Sequence, residues 1–413
     1  MRILYVVQRY GQDVVGGSEA ACRAFAEHLA ARGHEVEVLT SCAHRYTDWA
    51  DHYPPGVHHL NGVTLHRLPT VDLRRVELFD PMQAWMINGP RRPPVAMQAR
   101  WARLMGPELQ GQRQWLLSNA GRFDVAIFMT YLYSTTTAGL PTLAGRLPTV
   151  LQPTAHDEPA LRIRLYDTVF RQPDAFLFFT PEERDIVRHR FAIEPAGEVL
   201  GIGVDLDGDA DPAGFRRRLG LGDRPYLLYL GRIDPNKGSL EAYHFFETYK
   251  QRNPGDLALV LVGEMVSELP DHPDVIRAGY LDEHAKRSAL AGAVALLQPS
   301  YFESFSIVLC ESWAQRRPAL VQAASAVLAG QAHRSAGAIP YRGFAEFEAA
   351  VDLLVGRPEL ADELGRNGRR YVEARYRWDA VLDGVERVVG TARERFDSRP
   401  LRLRPSASAP AGG

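Results

Sequence analysis

The sequence predicts an α/β protein of two domains, each with a doubly wound parallel β-sheet covered by helices. Short apolar runs alternate with longer stretches of helical periodicity, which is typical of parallel sheets buried on both faces. This alternation occurs twice, on either side of a Gly-, Asp- and Pro-rich segment at residues 201–225. The 413 residues suffice for two or three compact domains, at roughly 100 to 200 residues each.

Ten apolar runs are predicted to be strands. They fall at residues 2–7, 35–40, 124–129, 148–152, 175–179, 226–230, 257–262, 275–278, 294–298 and 319–321. The first helix has Ser18 as its predicted N-terminal cap and Gly33 as its stop. The predicted division is an N-terminal domain, a C-terminal domain, a helix and a disordered tail, at residues 1–200, 201–378, 379–397 and 398–413.

Composition excludes several classes of protein. The formal net charge is −2, so general electrostatic binding of nucleic acid is not expected. The three cysteines lie far apart and lack metal-ligand spacing, which predicts neither a disulfide framework nor a zinc site and favours a cytoplasmic location. No apolar run approaches the roughly 20 residues of a transmembrane helix, and the first residues resemble a buried strand, not a signal peptide.

Residues 72–116 lack a regular pattern and mix Trp with Arg, including Arg91 and Arg92. An irregular segment of this kind could hold an acceptor or rest on a membrane surface. The alternative is an excursion that packs on the first domain.

The segment at residues 299–311 carries two glutamates, Glu303 and Glu311, after a predicted strand. A helix that opens near Ser306 would aim free backbone N–H groups at an anion. Glutamates eight residues apart do not share a helical face, so they converge only if Glu303 lies in the loop and Glu311 in the helix. That arrangement suits a sugar nucleotide; the alternative is that both side chains are simply exposed.

The segment at residues 231–238 follows the strand at 226–230, at the edge of the sheet where ligands bind. Arg232 offers a planar fork and Lys237 a point charge, which together could neutralise a diphosphate. Only three residues of the chain are lysines, Lys237, Lys250 and Lys286. The alternative is a solvated turn leading into a helix capped by Ser239.

Two further loops follow strands of the first domain. Gly16 and Gly17 would let a ligand approach the backbone at a helix N-terminus, although the spacing is not that of a dinucleotide fingerprint. His156 could contact a reacting sugar, and Asp157 could orient it or recognise the acceptor. Taken alone, each loop is equally compatible with a plain turn.

Together these segments resemble glycosyltransferase family four, retaining enzymes with the GT-B fold that use nucleotide sugars. The matching residues are Gly16-Gly17-Ser18-Glu19, Gly33-His34-Glu35-Val36, His156-Asp157, Gly203-Val204-Asp205, Gly231-Arg232, Lys237-Gly238, Val262-Gly263, Pro299-Ser300, Glu303 and Glu311. The resemblance covers about residues 1–40 and 150–390, and residues 45–120 carry none.

The resemblance implies two Rossmann-like domains that face a central cleft, and a C-terminal helix that crosses back to the first domain. It implies that Arg232 and Lys237 bind the diphosphate, Glu303 the transferred sugar and Glu311 the ribose, with phosphate contacts from the N–H groups of Ser306 and Ile307. A nucleoside-diphosphate sugar is then the co-substrate, and neither a bound cofactor nor a metal is expected. Attack on the leaving-group face, with the leaving phosphate taking the acceptor proton, would retain configuration.

Two departures from the family pattern stand out. Ser306 replaces the usual glycine and is expected to cap the helix. The stretch at 323–335 lacks the usual Gly-Gly turn and later glutamate, and we hypothesise that Arg334 and Ser335 line the cleft instead.

The sequence thus predicts transfer of a sugar to a hydroxyl of a glycan, a lipid carrier or a small glycoside. A lipid-linked acceptor would bring the protein to the inner membrane face without a transmembrane segment. A sugar-nucleotide epimerase of the same fold and a catalytically silent sugar-binding protein are the alternatives. The joint presence of Arg232, Lys237, Glu303 and Glu311 argues against the silent protein.

Overall fold

The computed structural model describes residues 1–74, 76–89 and 93–399. The chain divides into two compact units: the first is Met1–Leu200 with the chain from Leu382 onward, and the second is Gly201–Val381. Most of the predicted disordered tail, residues 400–413, lies outside the described residues, as do Arg91 and Arg92.

The first unit is built on an eight-stranded sheet. Its strands are β1 (Arg2–Val6), β2 (Glu35–Ser41), β3 (Gly56–Leu60), β4 (Val63–Leu68), β5 (Val125–Met129), β6 (Thr149–Gln152), β7 (Ala175–Phe178) and β8 (Gly197–Val199). Their spatial order is β3-β4-β2-β1-β5-β6-β7-β8, and all pairs are parallel except the β3–β4 hairpin. Every residue of β5 is buried, as expected for a central strand covered on both faces.

Seven α-helices connect these strands within the described part of the first unit. They are α1 (Gly17–Ala31), α2 (Val76–Asn88), α3 (Val95–Met105), α4 (Gln112–Asn119), α5 (Ser134–Leu143), α6 (Leu165–Val169) and α7 (Pro181–Phe191). The prediction that residues 72–116 are irregular was wrong, because α2, α3 and most of α4 occupy them. Phe79, Met86, Trp101 and Met105 of α2 and α3 are buried in the core, which gives these helices an apolar face to pack.

The second unit has a six-stranded, wholly parallel sheet in the order β11-β10-β9-β12-β13-β14. These strands are β9 (Tyr226–Leu230), β10 (Ala258–Val262), β11 (Val275–Gly279), β12 (Ala295–Gln298), β13 (Ala319–Gln322) and β14 (Ala338–Tyr341). Its helices are α8 (Pro212–Arg218), α9 (Ser239–Arg252), α10 (Glu283–Gly292), α11 (Ile307–Ala314), α12 (Ala326–Ser335), α13 (Phe344–Gly356) and α14 (Pro358–Arg375). Two parallel α/β units are therefore present, as predicted, and each of the ten predicted strands has a counterpart.

The last helix, α15 (Trp378–Asp397), begins in the second unit and continues in the first. In the first unit its carboxylates face α1 and the residue that follows Gly33. Arg32 pairs with Asp383 and, at 3.1 Å, with Glu386, while His34 Nε2 lies 2.9 Å from Glu386 Oε1.

In two helices the N-cap is a glycine that lies one or two residues before the serine predicted to cap the helix. Gly16 is the N-cap of α1 and Gly238 that of α9, and neither helix has a side-chain cap bond. A Cβ on Gly16 would lie 2.3 Å from Glu19 Oε2, and Gly238 has φ 72°, so both positions favour glycine over serine. The predicted caps Ser18 and Ser239 instead lie in the first turns of their helices.

Candidate functional site

Two loops meet at the carboxyl edge of the second sheet. A Cβ on Gly238, at the end of the loop after β9, would lie 2.3 Å from the carbonyl oxygen of Pro299, in the loop after β12. Only glycine permits this approach together with a φ of 72°. The glycine therefore brings the Arg232–Lys237 loop onto the loop that carries Glu303.

The contact places opposite charges side by side. Lys237 Nζ donates to Glu303 Oε1 at 2.8 Å, with 36% and 13% of the two side chains exposed. In the same loop, Arg232 Nη2 lies 4.0 Å from Oδ2 of the buried Asp234. Three of the predicted residues, Arg232, Lys237 and Glu303, thus lie on two adjoining loops at the edge where ligands bind, and we call them the charged cluster.

Tyr229, in β9, is hydrogen-bonded to the backbone of this cluster. Its hydroxyl donates to the carbonyl oxygen of Arg232 at 2.5 Å. Burial raises the pKa of Tyr229, with added repulsion from Glu303 and Asp234 and opposition from Arg232. Its phenol therefore stays protonated and can hold the Arg232 backbone in place.

Helix α11 begins beside the cluster, and its N-cap is Ser306. As predicted, Glu303 lies in the preceding loop and Glu311 within the helix. The prediction that Ser306 caps the helix with its side chain was wrong. Ser306 has φ 71°, in the left-handed region, and its hydroxyl accepts from Gln298 Nε2 at 2.8 Å instead of from the helix. No side-chain cap bond is present, so a ligand can take the first-turn N–H groups.

The backbone of Ser306 yields a stability prediction. Ser306→Ala should lower the free energy of unfolding by about 1–2 kcal/mol, because buried Gln298 loses its acceptor while the left-handed backbone remains. Ser306→Gly loses the same bond but relieves about 1 kcal/mol of backbone strain, so it should be close to wild type. Urea unfolding of the three proteins checks this order, and an alanine variant as stable as the glycine variant would contradict it.

Glu311 has a partner that the sequence interpretation missed. Lys286 of α10 donates to Glu311 Oε1 at 2.7 Å and lies 2.8 Å from Glu283 Oε2. Burial alone would lower the pKa of Lys286, but Glu311 and Glu283 raise it above its usual value. Glu311 Oε2 is buried and, among the described residues, has no hydrogen-bond partner, which leaves the hydrogen-bonding capacity of one carboxylate oxygen unused. The rarity of lysine was the available signal for this pair.

In the first unit, Arg9 binds the Gly16–Glu19 loop through the carboxylate of Glu19. Arg9 and Glu19 are both buried, and the guanidinium donates to Glu19 Oε1 from Nε at 2.9 Å and from Nη2 at 2.6 Å. Ser18 donates to Glu19 Oε2 at 2.8 Å. A Cβ on Gly17, by contrast, would meet no atom within 4 Å, so this backbone position is open. Sequence reasoning did not identify Arg9.

In the loop after β6, the predicted site residues His156 and Asp157 have different partners. His156 Nε2 lies 3.7 Å from Glu158 Oε1, which also accepts from the hydroxyl of Tyr131 at 2.6 Å. Asp157 is exposed and pairs with Arg162 at 3.0 Å. His156 therefore lies beside Glu158, which also binds Tyr131, whereas Asp157 pairs with Arg162 at the surface.

Glu183 of α7 anchors the same loop from within the core. Its carboxylate is buried and accepts from the N–H of Ala155 and from the N–H of Phe179, each at 2.7 Å. Burial raises the pKa of Glu183 from 4.5 to about 8, against the lowering effect of these backbone bonds. Sequence reasoning gave no sign of this support for the His156 loop.

The raised pKa of Glu183 predicts a pH-dependent stability. Because the folded pKa is about 8 against 4.5, this group favours folding most below pH 4.5 and loses that contribution as pH rises towards 8. Relative to Glu183→Gln, the wild-type free energy of unfolding should fall by up to about 4 kcal/mol over that interval. Chemical denaturation from pH 5 to 8.5 measures the difference. Glu182→Gln, in the same turn but not fully buried, is the control, and parallel curves for wild type and Glu183→Gln would contradict the prediction.

Arg334 contacts Tyr371 of α14. It lies in the last turn of α12, where its Nε is 3.4 Å from the hydroxyl of Tyr371. Ser335 is buried, and its hydroxyl accepts from the N–H of Gly337 at 3.0 Å.

The described part of the chain has neither a candidate metal-binding cluster nor a candidate transmembrane helix. Within residues 1–74, 76–89 and 93–399, no group of three or more His, Cys, Asp or Glu side chains is placed to hold a metal ion. No helix in those same ranges combines the length and apolarity that a bilayer-spanning segment requires.

Known proteins resemble both units. The profile of glycosyl transferases group 1 matches residues 214–371, and that of the glycosyl transferase 4-like domain matches residues 16–203. α-D-Kanosaminyltransferase of Streptomyces kanamyceticus is 28% identical to this chain. The similarity covers 53% of this chain and 62% of that enzyme. Glycogen synthase of Mycobacterium tuberculosis is 25% identical over 94% of both chains. The structure of Anabaena HepE with UDP and glucose has a TM-score of 0.66 and 14% identity, covering 95% of this chain and 100% of HepE.

The two parallel α/β units and these matches define a glycosyltransferase with the GT-B fold. The chain belongs to the GT4-type glycosyltransferases, the family that its sequence motifs predicted.

Proposed function

We propose that this glycosyltransferase transfers a sugar, with retention of configuration, from a nucleoside-diphosphate sugar to a hydroxyl group. The observation that carries the proposal is the Lys237–Glu303 pair beside the open N-terminus of α11. Positive charge and free N–H groups suit a diphosphate, and a carboxylate a few ångströms away suits sugar hydroxyls. The HepE structure, which contains UDP and glucose, supports the same ligand class.

Each candidate site residue of the second unit then has a proposed role. Arg232 and Lys237 neutralise the diphosphate, and the N–H groups of Ser306 and Ile307 bind its oxygens. Glu303 accepts from hydroxyls of the transferred sugar, and Glu311 accepts from the ribose through its free oxygen. These groups are fixed before the reaction, so they can stabilise the charge that develops on the leaving diphosphate.

The first unit supplies the remaining proposed contacts. The backbone at Gly16 and Gly17 offers N–H groups to the donor, and His156, held beside Glu158, contacts the transferred sugar. Asp157 of the first unit and Arg334 of the second unit remain assigned to the acceptor side by sequence alone.

The reaction is a single exchange at the anomeric carbon. The bond from this carbon to the diphosphate oxygen breaks, and a bond to the acceptor oxygen forms on the same face. The acceptor proton passes to the leaving diphosphate, so charge and atoms balance without a protein nucleophile. The chain's contribution is positioning and charge stabilisation.

Thermal unfolding with UDP, GDP, dTDP and ADP tests the donor assignment. A nucleotide at 100 times its dissociation constant should stabilise the protein by roughly 2.7 kcal/mol, which appears as a raised midpoint. We expect one nucleotide to raise the midpoint of wild type and to lose this effect in Arg232→Ala and Lys237→Ala. The absence of a shift with all four nucleotides would overturn the proposed donor class.

Product analysis tests the chemistry itself. With the identified donor and an accepted sugar, the new linkage should have the anomeric configuration of the donor. Inversion in the product would contradict retention, and release of an epimerised sugar nucleotide without acceptor would favour the epimerase.

A further inference from the structure

A cavity of about 240 Å³ lies in the first unit, lined by residues between Trp49 and Glu108. Its lining includes Arg74, Arg100 and Arg103, together with Trp49, Asp72 and Glu108. None of the motifs that predicted the family falls within this stretch.

The cavity lies at the carboxyl edge of the first sheet. Arg74 and Asp72 follow the end of β4, and Trp49 lies beyond the end of β2. Gly106 also lines the cavity, and its carbonyl oxygen accepts from the N–H of Ser134 at 3.1 Å. This hydrogen bond connects the cavity to the segment that follows β5. In open α/β sheets this edge binds ligands.

Among the described residues, Arg74, Arg100 and Arg103 form no ion pair, although Asp72 and Glu108 share the lining. Arg100 and Arg103 are exposed, and Arg74 is half-buried. Nη1 of Arg74 donates to the carbonyl oxygen of Tyr46 at 3.2 Å, and its Cζ lies 3.8 Å from the centroid of the Phe79 ring. Burial lowers the pKa of Arg74, with partial opposition from Tyr133 and Asp80. A carbonyl group and an aromatic ring therefore hold Arg74 in place, and its guanidinium can pair with an anion in the cavity.

The cavity adjoins the loops assigned to transfer. The ring of Trp49, in its wall, packs edge-on against Tyr133 with centroids 5.4 Å apart. Burial raises the pKa of Tyr133 to about 12, with Glu19 and Glu158 adding to the shift and Arg9 and Arg74 opposing it. Tyr46, whose carbonyl oxygen accepts from Arg74, has its ring 5.5 Å from Cζ of Arg9, the partner of Glu19. A molecule held by Arg74 would therefore lie near the Gly16–Glu19 loop.

We infer that this cavity is the subsite for an anionic group of the acceptor, a phosphate or a carboxylate. The inference rests on the proposed transfer to a hydroxyl, and it deepens that proposal by naming an acidic acceptor. Guanidinium forks bind both anions through paired hydrogen bonds, and the three positive charges exceed the two negative charges of the lining.

Calorimetric titration with inorganic phosphate tests the subsite directly. The protein used is the full chain with Arg232→Ala and Lys237→Ala, so that the donor diphosphate residues do not bind the probe. We expect saturable binding of one phosphate, at least ten-fold weaker after Arg74→Gln or Arg100→Gln. Arg113→Gln, an exposed arginine of α4 outside the cavity, is the matched control and should bind as before.

Each outcome of the titration decides the inference. No saturable binding, or equal binding in the Arg74, Arg100 and Arg113 variants, would overturn it. A parallel titration with acetate distinguishes a carboxylate site from a phosphate site. Because neither titration needs a donor, a failure of nucleotide binding would count against the proposed function and not against the subsite.

Acceptor kinetics extend the test once the donor is known. Glucose, glucose 6-phosphate and glucuronate differ only at carbon 6, which carries a hydroxyl or a phosphate or is itself a carboxylate. We expect kcat/KM to be at least ten-fold higher for an acidic sugar than for glucose, with that preference lost in Arg74→Gln and Arg100→Gln. An equal loss for neutral and acidic sugars would show that the arginines are merely structural.

Discussion

Replacement of Lys237 with methionine is expected to lower kcat/KM about a thousandfold, which corresponds to about 4 kcal/mol of transition-state stabilisation. Methionine preserves most of the side-chain volume and removes the charge, so the diphosphate loses its cation and Glu303 loses its partner at 2.8 Å. Glu303→Gln should cause a loss of similar size, because the amide cannot accept from sugar hydroxyls through both of its terminal atoms. Steady-state kinetics with varied donor measure both variants.

A second ion pair in the same unit provides the control. Arg252 Nε donates to Glu348 Oε1 at 2.8 Å, at the far end of α9 from Lys237. Arg252→Met removes a comparable pair without touching the charged cluster, so kcat/KM should stay within about two-fold of wild type. If the two methionine variants lost equal activity, the effect of Lys237 would be structural and its assignment to the diphosphate would be wrong.

Lys286→Met should lower the free energy of unfolding by about 3 kcal/mol. The substitution leaves Glu311 as a mostly buried carboxylate without its lysine, since 21% of the Glu311 side chain and 17% of that of Lys286 are exposed. Denaturant unfolding measures this loss. The same variant should also bind the donor more weakly, because Glu311 is no longer held in a fixed orientation.

The double variant Lys286→Met/Glu311→Met separates stability from binding. Two apolar side chains of similar size can replace a buried ion pair at little cost, so most of the lost stability should return. Donor affinity should not return, because the proposed ribose contact has been removed. Recovery of both properties would show that Glu311 does not bind the donor.

The sequence predicted the fold well where burial is continuous. Nine of the ten predicted strands are mostly buried apolar runs, as expected for parallel strands that are covered on both faces. The tenth corresponds to β11, which lies at the edge of its sheet and is partly exposed. The hairpin β3–β4 was missed because β3, Gly56–Leu60, is mostly exposed and contains His58 and His59. Strand β8 has only three residues, all partly exposed, and β14 contains Pro340, which is exposed and untypical of a strand.

The site was predicted in its motif residues but not in their partners. Loop position identified Arg232, Lys237 and Glu303, since residues after a parallel strand converge at one edge of the sheet. Arg9, Lys286 and Glu183 act through contacts with residues 10, 25 and 28 positions away, and no local pattern encodes such contacts. The side chain of Ser306 could not be predicted either, because its hydrogen bond depends on a left-handed backbone.

The three lysines all lie in ion pairs, with 36% of the side chain exposed at Lys237, 17% at Lys286 and 6% at Lys250. Amine-reactive reagents therefore have few targets on this protein, and Lys237 is the most accessible of the lysine targets. Mass spectrometry after brief acetylation would follow this one residue, and a donor that covers it would slow its modification. The scarcity of lysine thus turns a general labelling reagent into a reporter of occupancy at a single position.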